Sequence, residues 1–249
     1  MKINKFYESI ADYYDYIFDP DDSAEVINEL YLNSKPCRII DIGCATGKLA
    51  AGLAGMNHEV TAIDLDSKMI ETAEGKYKQK GMKLKFMREN MLEIGGIFEA
   101  GHFEAAVCVG NTIVHLQGPE KITEFFSAVN KILKPGAVFI AQILNYDRII
   151  SQKINKLALI ENDKIKFERY YDLDTAKNGG MIIFQTKLTV KGDGGAIIEN
   201  ESSLYPAKKD EIEKALTTAG FCDINFYSDI DKTLFSIDKS GPLAFSAVK

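Results

Sequence analysis

Ile39-Ile40-Asp41-Ile42-Gly43-Cys44-Ala45-Thr46-Gly47 is the stretch that decides how this chain folds. Residues 37–42 are a short apolar run, which reads as a buried strand ending around Asp41. Two glycines follow, and glycine adopts backbone dihedrals closed to other residues and lets a ligand approach the main chain. Residues 48–56 then read as a helix. A tight turn from buried strand to helix is where ligands bind in open α/β sheets, beyond the carboxyl ends of the strands.

Outward from that turn, strands alternate with helices. Strands are expected over 59–63, 84–87, 103–109 and 137–144, with helices over 67–80 and 119–133. Asp66 or Ser67 would cap the first of these helices, and Pro135-Gly136 would stop the second. This alternation indicates βαβ units and a parallel sheet covered on both faces. Ahead of it, Phe6, Ile10, Tyr13, Tyr14 and Ile17 recur at helical spacing over 3–18. Asp19-Pro20-Asp21-Asp22-Ser23 breaks that helix, and another follows over 23–32.

The pattern changes after Leu144. Strand-like stretches over 164–172, 181–190 and 196–205 are separated by Asn178-Gly179-Gly180 and Gly192-Asp193-Gly194-Gly195, which reads as an antiparallel meander. A helix over 208–219, ended by Gly220, and strands over 223–227 and 243–248 close the chain. The expected organisation is one domain over 1–249. It has a helical cap at 1–33, an α/β core at 34–145 and 206–249, and a β-rich lid at 146–205 over the substrate site.

Bulk properties narrow the function classes. The chain has 249 residues, 46% hydrophobic and 27% charged, with a formal net charge of −6. No apolar run approaches the roughly 20 residues that a membrane helix needs. The N-terminus lacks the apolar core of a secretory signal, so a cytoplasmic location is expected. No Lys/Arg cluster suggests a nucleic-acid surface. Cys37, Cys44, Cys108 and Cys222 form no C-x-x-C pair and have no histidine at ligand spacing, so no metal is expected and they read as reduced packing residues.

Asp64 makes the turn more specific. It follows the next strand, about 20 residues on, where a carboxylate can accept both hydroxyls of an adenosine ribose. A dinucleotide site would need G-x-G-x-x-G, but counting from Gly43 gives Ala45 and Lys48 at the second and third places. Here the chain resembles the class I S-adenosylmethionine (SAM) dependent methyltransferases. The matching segments are 41–47, 60–69 and Leu133-Lys-Pro-Gly-Ala-Val138. The resemblance implies a Rossmann-like, mostly parallel seven-stranded sheet whose last strand is antiparallel, and the product S-adenosyl-L-homocysteine. It implies that Asp41, Gly43, Cys44, Ala45 and Gly47 surround the cofactor and that Asp64 holds its ribose. Leu65 and Met69 would pack on the adenine, with Asn90 and Met91 at its edge. Asn90 replaces a common acid, although its amide oxygen can still accept from the adenine amine. Ala45 stands where the family often has glycine.

Gly110-Asn-Thr-Ile-Val-His-Leu116 and Asn145-Tyr-Asp147 look like the glycine N-methyltransferase branch of that family. By that resemblance Asn111 faces the methyl acceptor, His115 lies beside the methionine end of SAM, and Val109 lends its backbone to the cofactor. The glycine-specific enzymes carry an arginine immediately before Asn-Tyr-Asp, whereas this chain has Leu144. An apolar side chain cannot replace a bidentate guanidinium. The acceptor is therefore expected not to be glycine, with Arg148 or Arg169 as the arginines left to reach the site. Tyr146, Tyr170, Tyr171 and Tyr205 are further acceptor-side candidates. Tyr7, Tyr13 and Tyr14 sit on the helix that covers SAM in relatives, and ring faces attract a sulfonium.

The expected reaction is in-line transfer of a methyl group to a small-molecule amine, by a monomer or homodimer acting without nucleic acid or membrane. His115 is the base candidate if the acceptor is an oxygen or a protonated amine. The alternatives are an O-methyltransferase, a nicotinamide-dependent oxidoreductase and a non-catalytic SAM-binding protein.

Overall fold

The computed structural model describes residues 3–18, 22–77, 81–175, 180–192 and 195–249. The Asp19-Pro20-Asp21 part of the expected break, the helix end at 78–80, and the turn residues 176–179 and 193–194 lie outside them. In chain order the helices are α1 (Ile3–Ile10), α2 (Tyr14–Ile17), α3 (Ser23–Leu30), α4 (Lys48–Gly55), α5 (Ser67–Tyr77), α6 (Ile94–Ile97), α7 (Pro119–Ile132), α8 (Tyr146–Ser151) and α9 (Lys209–Thr218). The strands are β1 (Arg38–Ile42), β2 (Glu59–Asp64), β3 (Leu84–Arg88), β4 (Phe103–Cys108), β5 (Leu133–Leu144), β6 (Ile160–Glu161), β7 (Ile165–Asp172), β8 (Ile182–Val190), β9 (Ile197–Leu204), β10 (Cys222–Tyr227) and β11 (Pro242–Val248).

Seven strands form one sheet in the order β10-β11-β5-β4-β1-β2-β3. The pairings β1–β2, β1–β4, β2–β3 and β4–β5 are parallel, and β11 runs antiparallel to both neighbours. The order reverses at β1, which places the Gly43–Gly47 turn at the topological switch point. β1 is buried from Ile39 onward, as a central strand covered on both faces must be. The largest core cluster joins Phe103, Phe125, Phe126, Phe139 and Phe245 under α7 and α9.

A second, antiparallel sheet has the order β6-β7-β8-β9. Phe167 and Leu188 on its inner face pack with Phe6, Ile10 and Ile17 from the N-terminal helices. Farther along that face, Tyr171 and Phe184 meet Tyr146 of α8.

Several expectations needed correction. The single helix over 3–18 is broken into α1, a 3-10 turn at Ala11–Tyr13, and α2. Pro135-Gly136 does not end α7, because Leu133 already has extended dihedrals and both residues sit in β5. Gly136 at φ 77 and a register shift against β4 mark a bulge there. Of the two expected caps of α5 the structure bears out Asp66, whose Oδ1 accepts from Lys68 N at 2.9 Å and Met69 N at 3.1 Å. All four cysteines are free thiols, but only Cys44 and Cys108 are buried. Among the described residues, no helix is long and apolar enough to cross a membrane.

Candidate functional site

The carboxyl ends of β1, β2, β4 and β5 open into one cleft. Gly43 turns the chain at φ 76, and a Cβ there would lie 2.5 Å from Thr112 Cγ2. Only glycine satisfies both the dihedral and the space. The amides of Gly43 and Cys44 both donate to the Ile63 carbonyl, at 2.8 and 3.0 Å, which ties the turn to β2. Asp64 tightens the tie. Its Oδ2 accepts from Ala45 N at 2.9 Å and its Oδ1 from Asp66 N at 2.9 Å. Ala45 has φ 47, a left-handed conformation that costs a residue with a Cβ about 1–2 kcal/mol.

Two adjoining cavities, of about 270 and 690 Å³, share Tyr14, Gly43, Ala45 and Gly110. Asp64, Leu65, Asn90, Met91, Leu116 and His115 line the smaller, and Asp41, Cys44, Thr46, Val109 and Gln142 line the larger. Leu65, Met91 and Leu116 offer apolar contact for a flat ring, with Asp64 at its edge. Asn90 Oδ1 already accepts from Leu92 N at 3.1 Å and Nδ2 donates to Glu93 at 3.3 Å. A carbonyl oxygen has two lone pairs, so one can still receive an amine.

The electrostatics favour a cation. Asp15, Asp22, Glu25, Asp41, Asp64, Asp66, Glu89 and Asp229 line the two cavities, against Lys48 and Lys121. Asp41 is 2% exposed, and its Oδ2 has no hydrogen-bond partner. Burial, reinforced by Asp64, pushes its carboxyl up to about 7. An orphaned, buried carboxyl beside a glycine turn fits the positively charged end of SAM. A dinucleotide would bring a pyrophosphate to the same acidic place.

The N-terminal segment closes over this cleft. Tyr7 Oη lies 2.7 Å from His115 Nε2, and Thr46 donates to Asp15, which also pairs with Lys76. His115 lines the smaller cavity half-buried; desolvation lowers its pKa to about 4, and Nδ1 has no partner. Burial likewise raises the Tyr7 and Tyr14 hydroxyls, so both are neutral donors.

Asn111 is held rather than free. At φ 68 it donates from N to the Gln142 carbonyl at 3.1 Å, accepts at Oδ1 from Leu144 N at 2.9 Å, and donates from Nδ2 to Tyr146 Oη at 3.1 Å. Gln142 Oε1 accepts from Gly110 N at 3.0 Å, which pins the same turn from β5. Sequence reading gave no role to Gln142 or Thr112. Both become visible only when β5 and the β4 turn are brought together.

Other candidates lie elsewhere. Met69 is buried but lines neither cavity. Arg148 points along α8 to Gln152. Tyr170 and Tyr171 are adjacent on a strand and so point to opposite faces. Tyr171 is buried against Phe184, while Tyr170 lies outside, bonded to Glu168 and under Lys156. Tyr205 turns to Glu211 at 2.6 Å. Gly47 touches Phe86 and Ala73 and serves the packing of the turn rather than its lining.

Comparison with known proteins agrees with this geometry. Residues 39–136 match the family model described as "Methyltransferase domain". The chain is 28% identical over 232 residues to "Putative methyltransferase GWCH70_2453" of Geobacillus sp. (strain WCH70), covering 90% of this chain and 92% of that one. It is 23% identical over 207 residues to the glycine/sarcosine N-methyltransferase of Aphanothece halophytica, covering 81% and 72%. A shorter match, 31% over 106 residues, takes in 43% of this chain and only 42% of the methyltransferase-like YqeM of Bacillus subtilis (strain 168). The crystal structure of a SAM-dependent methyltransferase from Clostridium acetobutylicum ATCC 824 superposes with a TM-score of 0.79 at 18% identity, over 98% of each chain. Residues 39–136 match a methyltransferase domain, and the chain as a whole shares its fold with a SAM-dependent methyltransferase.

Proposed function

We propose that the chain methylates a small-molecule amine other than glycine, with the β6–β9 sheet serving as a lid over the acceptor. SAM supplies a methyl group activated on a sulfonium. Asp64 would hold the ribose hydroxyls, Leu65 and Met91 the adenine faces, and Asp41 the cationic methionine end. Gly43, Cys44, Ala45 and Val109 would offer backbone to the same end. The protein's contribution to transfer is orientation, which can supply roughly 7–11 kcal/mol. Tyr7 and His115 would fix one wall, while Asn111 would hold Tyr146 and the end of β5 behind the other.

The observation that carries the amine reading is the state of His115. A ring held neutral with a pKa of about 4 is a weak base. A hydroxyl acceptor needs a strong base in this place, whereas an amine that has already lost its proton to solvent attacks without one. The resemblance of the Asn111 turn to the glycine N-methyltransferase branch points the same way. Leu144 removes that branch's carboxylate clamp. In a screen of radiolabelled methyl transfer, small amines are expected to accept and glycine is expected not to. Glycine turnover with micromolar affinity, or turnover confined to hydroxyl acceptors, would overturn the reading.

Asp41 predicts a pH signature for cofactor binding. Its folded pKa is raised to about 7, so below that pH the empty site holds a proton. A bound cation favours the carboxylate, so binding releases that proton. SAM affinity should therefore rise about tenfold between pH 6 and pH 8, a change of about 1.4 kcal/mol. Calorimetry at the two pH values checks this, and Asp41→Asn should abolish the difference.

A further inference from the structure

The inner face of the second sheet carries a polar row that the cofactor cleft does not use. Arg169 on β7 pairs in register with Thr186 on β8, and Thr186 pairs with Asn200 on β9. Ser202, two residues beyond Asn200, pairs with Phe184 and shares the face. Directly opposed residues on one face lie about 4.5–5.5 Å apart, and diagonal ones about 7–8 Å. The groups are therefore neighbours across three strands. On one side of the row stand Phe167 and Leu188, packed on Phe6 and Ile10. On the other stand Tyr171 and Phe184, packed toward Tyr146.

Asn200 donates from Nδ2 to Ser9 Oγ at 3.0 Å, but the rest of the row is short of partners. Thr186 and Ser202 are 4% and 3% exposed, and neither hydroxyl has a hydrogen-bond partner. Arg169 Nε is buried and unpartnered as well. The guanidinium makes one hydrogen bond, from Nη2 to the Ala158 carbonyl at 2.9 Å, and sits over the Phe167 ring. Among the described residues no carboxylate pairs with it. A half-buried cation without a counter-charge is costly, and so is a buried hydroxyl without a partner. Several such groups side by side on one face are what an anionic oxygen group would satisfy together, and a guanidinium suits carboxylate or phosphate geometry.

We propose that Arg169, Thr186 and Ser202 form an anion subsite for the methyl acceptor, reading a carboxylate or phosphate carried at a distance from the amine. This rests on the amine reading above. The row is separated from Asn111 by two tyrosines in sequence of contact. Asn111 bonds Tyr146 at 3.1 Å, the Tyr146 and Tyr171 hydroxyls are 3.5 Å apart, and Tyr171 is two residues from Arg169 on the same face. An acceptor that spans both ends is longer than glycine. Its uncharged amine meets the methyl group of SAM on the Asn111 side, and its anion meets Arg169. The clamp missing at Leu144 is thereby moved outward onto the lid, and the moved clamp selects chain length.

The test uses the full chain saturated with S-adenosylhomocysteine and titrated with butyrate, inorganic phosphate and, as an uncharged control, butanol. Saturable binding of butyrate or of phosphate is expected, and the stronger of the two names the anion. That binding should weaken at least tenfold in Arg169→Gln, fall in Thr186→Val, and be partly kept in Arg169→Lys. S-adenosylhomocysteine affinity and melting temperature, measured on each variant, identify any that fails to fold. No saturable binding of either anion, or binding unchanged in a folded Arg169→Gln, overturns the proposal. Amine methylation that persists alongside that result leaves the amine reading standing and sinks the subsite alone.

Discussion

Asp64→Ala is expected to weaken SAM binding by about 100-fold or more. A hydrogen bond to a charged group contributes about 1.5–3 kcal/mol, and the carboxylate would receive two from the ribose. Losing both is worth at least about 3 kcal/mol, and each 1.4 kcal/mol is tenfold in affinity. A second loss adds to the first, because Asp64 also holds the amides of Ala45 and Asp66 that shape the turn. Asp64→Asn separates the two contributions. It keeps one acceptor oxygen for the turn but lacks the charge, so it should fall between Ala and wild type. Calorimetric titration of the three proteins with SAM checks the order. Equal affinities for wild type and Asp64→Ala would mean that the ribose is held elsewhere.

Gly47→Ala is expected to cost about 3 kcal/mol of stability. Gly47 sits at φ 82, where a Cβ costs about 1–2 kcal/mol. That Cβ would also stand 2.6 Å from Phe86 Cε1 and 2.8 Å from Ala73 Cβ. Relieving such overpacking typically costs about 1–3 kcal/mol more. In a chain of this size each kcal/mol lowers the melting temperature by about 2–4 °C, so a fall of about 6–12 °C is expected. Gly75→Ala in α5 is the control. Its Cβ would meet nothing within 4 Å and its φ is not positive. Removing a helical glycine there should stabilise by about 0.5–1 kcal/mol. If both variants melt alike, the Gly47 turn does not have the conformation described.

The contrast between these two glycines also shows how much of the molecule can be read in the chain. The β1 turn is legible because a short apolar strand, two glycines and a helix leave few alternatives at residues 38–55. The parallel sheet follows, since β2, β4 and β5 repeat the same alternation. The second sheet is legible as a meander from its turn residues. Side-chain facing is harder. Tyr170 and Tyr171 both look available as a sequence, yet the period of a strand allows only one of them to face inward. Tyr205 lies just past the end of β9 and is drawn to Glu211 by a bond that depends on where α9 docks. The contact between Tyr7 and His115 joins positions 108 residues apart, so no local pattern announces it. The α6 turn is hidden by Gly95-Gly96, which oppose helix until α7 packs against it.

Asn111 shows a related limit. The resemblance has it face the methyl acceptor, but its polar atoms are engaged by Leu144 N and Tyr146 Oη. It therefore positions Tyr146 and the end of β5, and direct contact with an acceptor would require one of these bonds to be shared. The same rearrangement explains why Leu144 matters beyond its apolar side chain. Its backbone is the donor that fixes Asn111.

The most direct test of the central claim is a crystal structure of the chain grown with S-adenosylhomocysteine. The account predicts the adenosine in the cleft between Leu65 and Met91, with both ribose hydroxyls within hydrogen-bond distance of Asp64 and the homocysteine end running past Gly43 toward Asp41. Adenosine bound away from Asp64, or a cleft that takes up a nicotinamide nucleotide in its place, would contradict it.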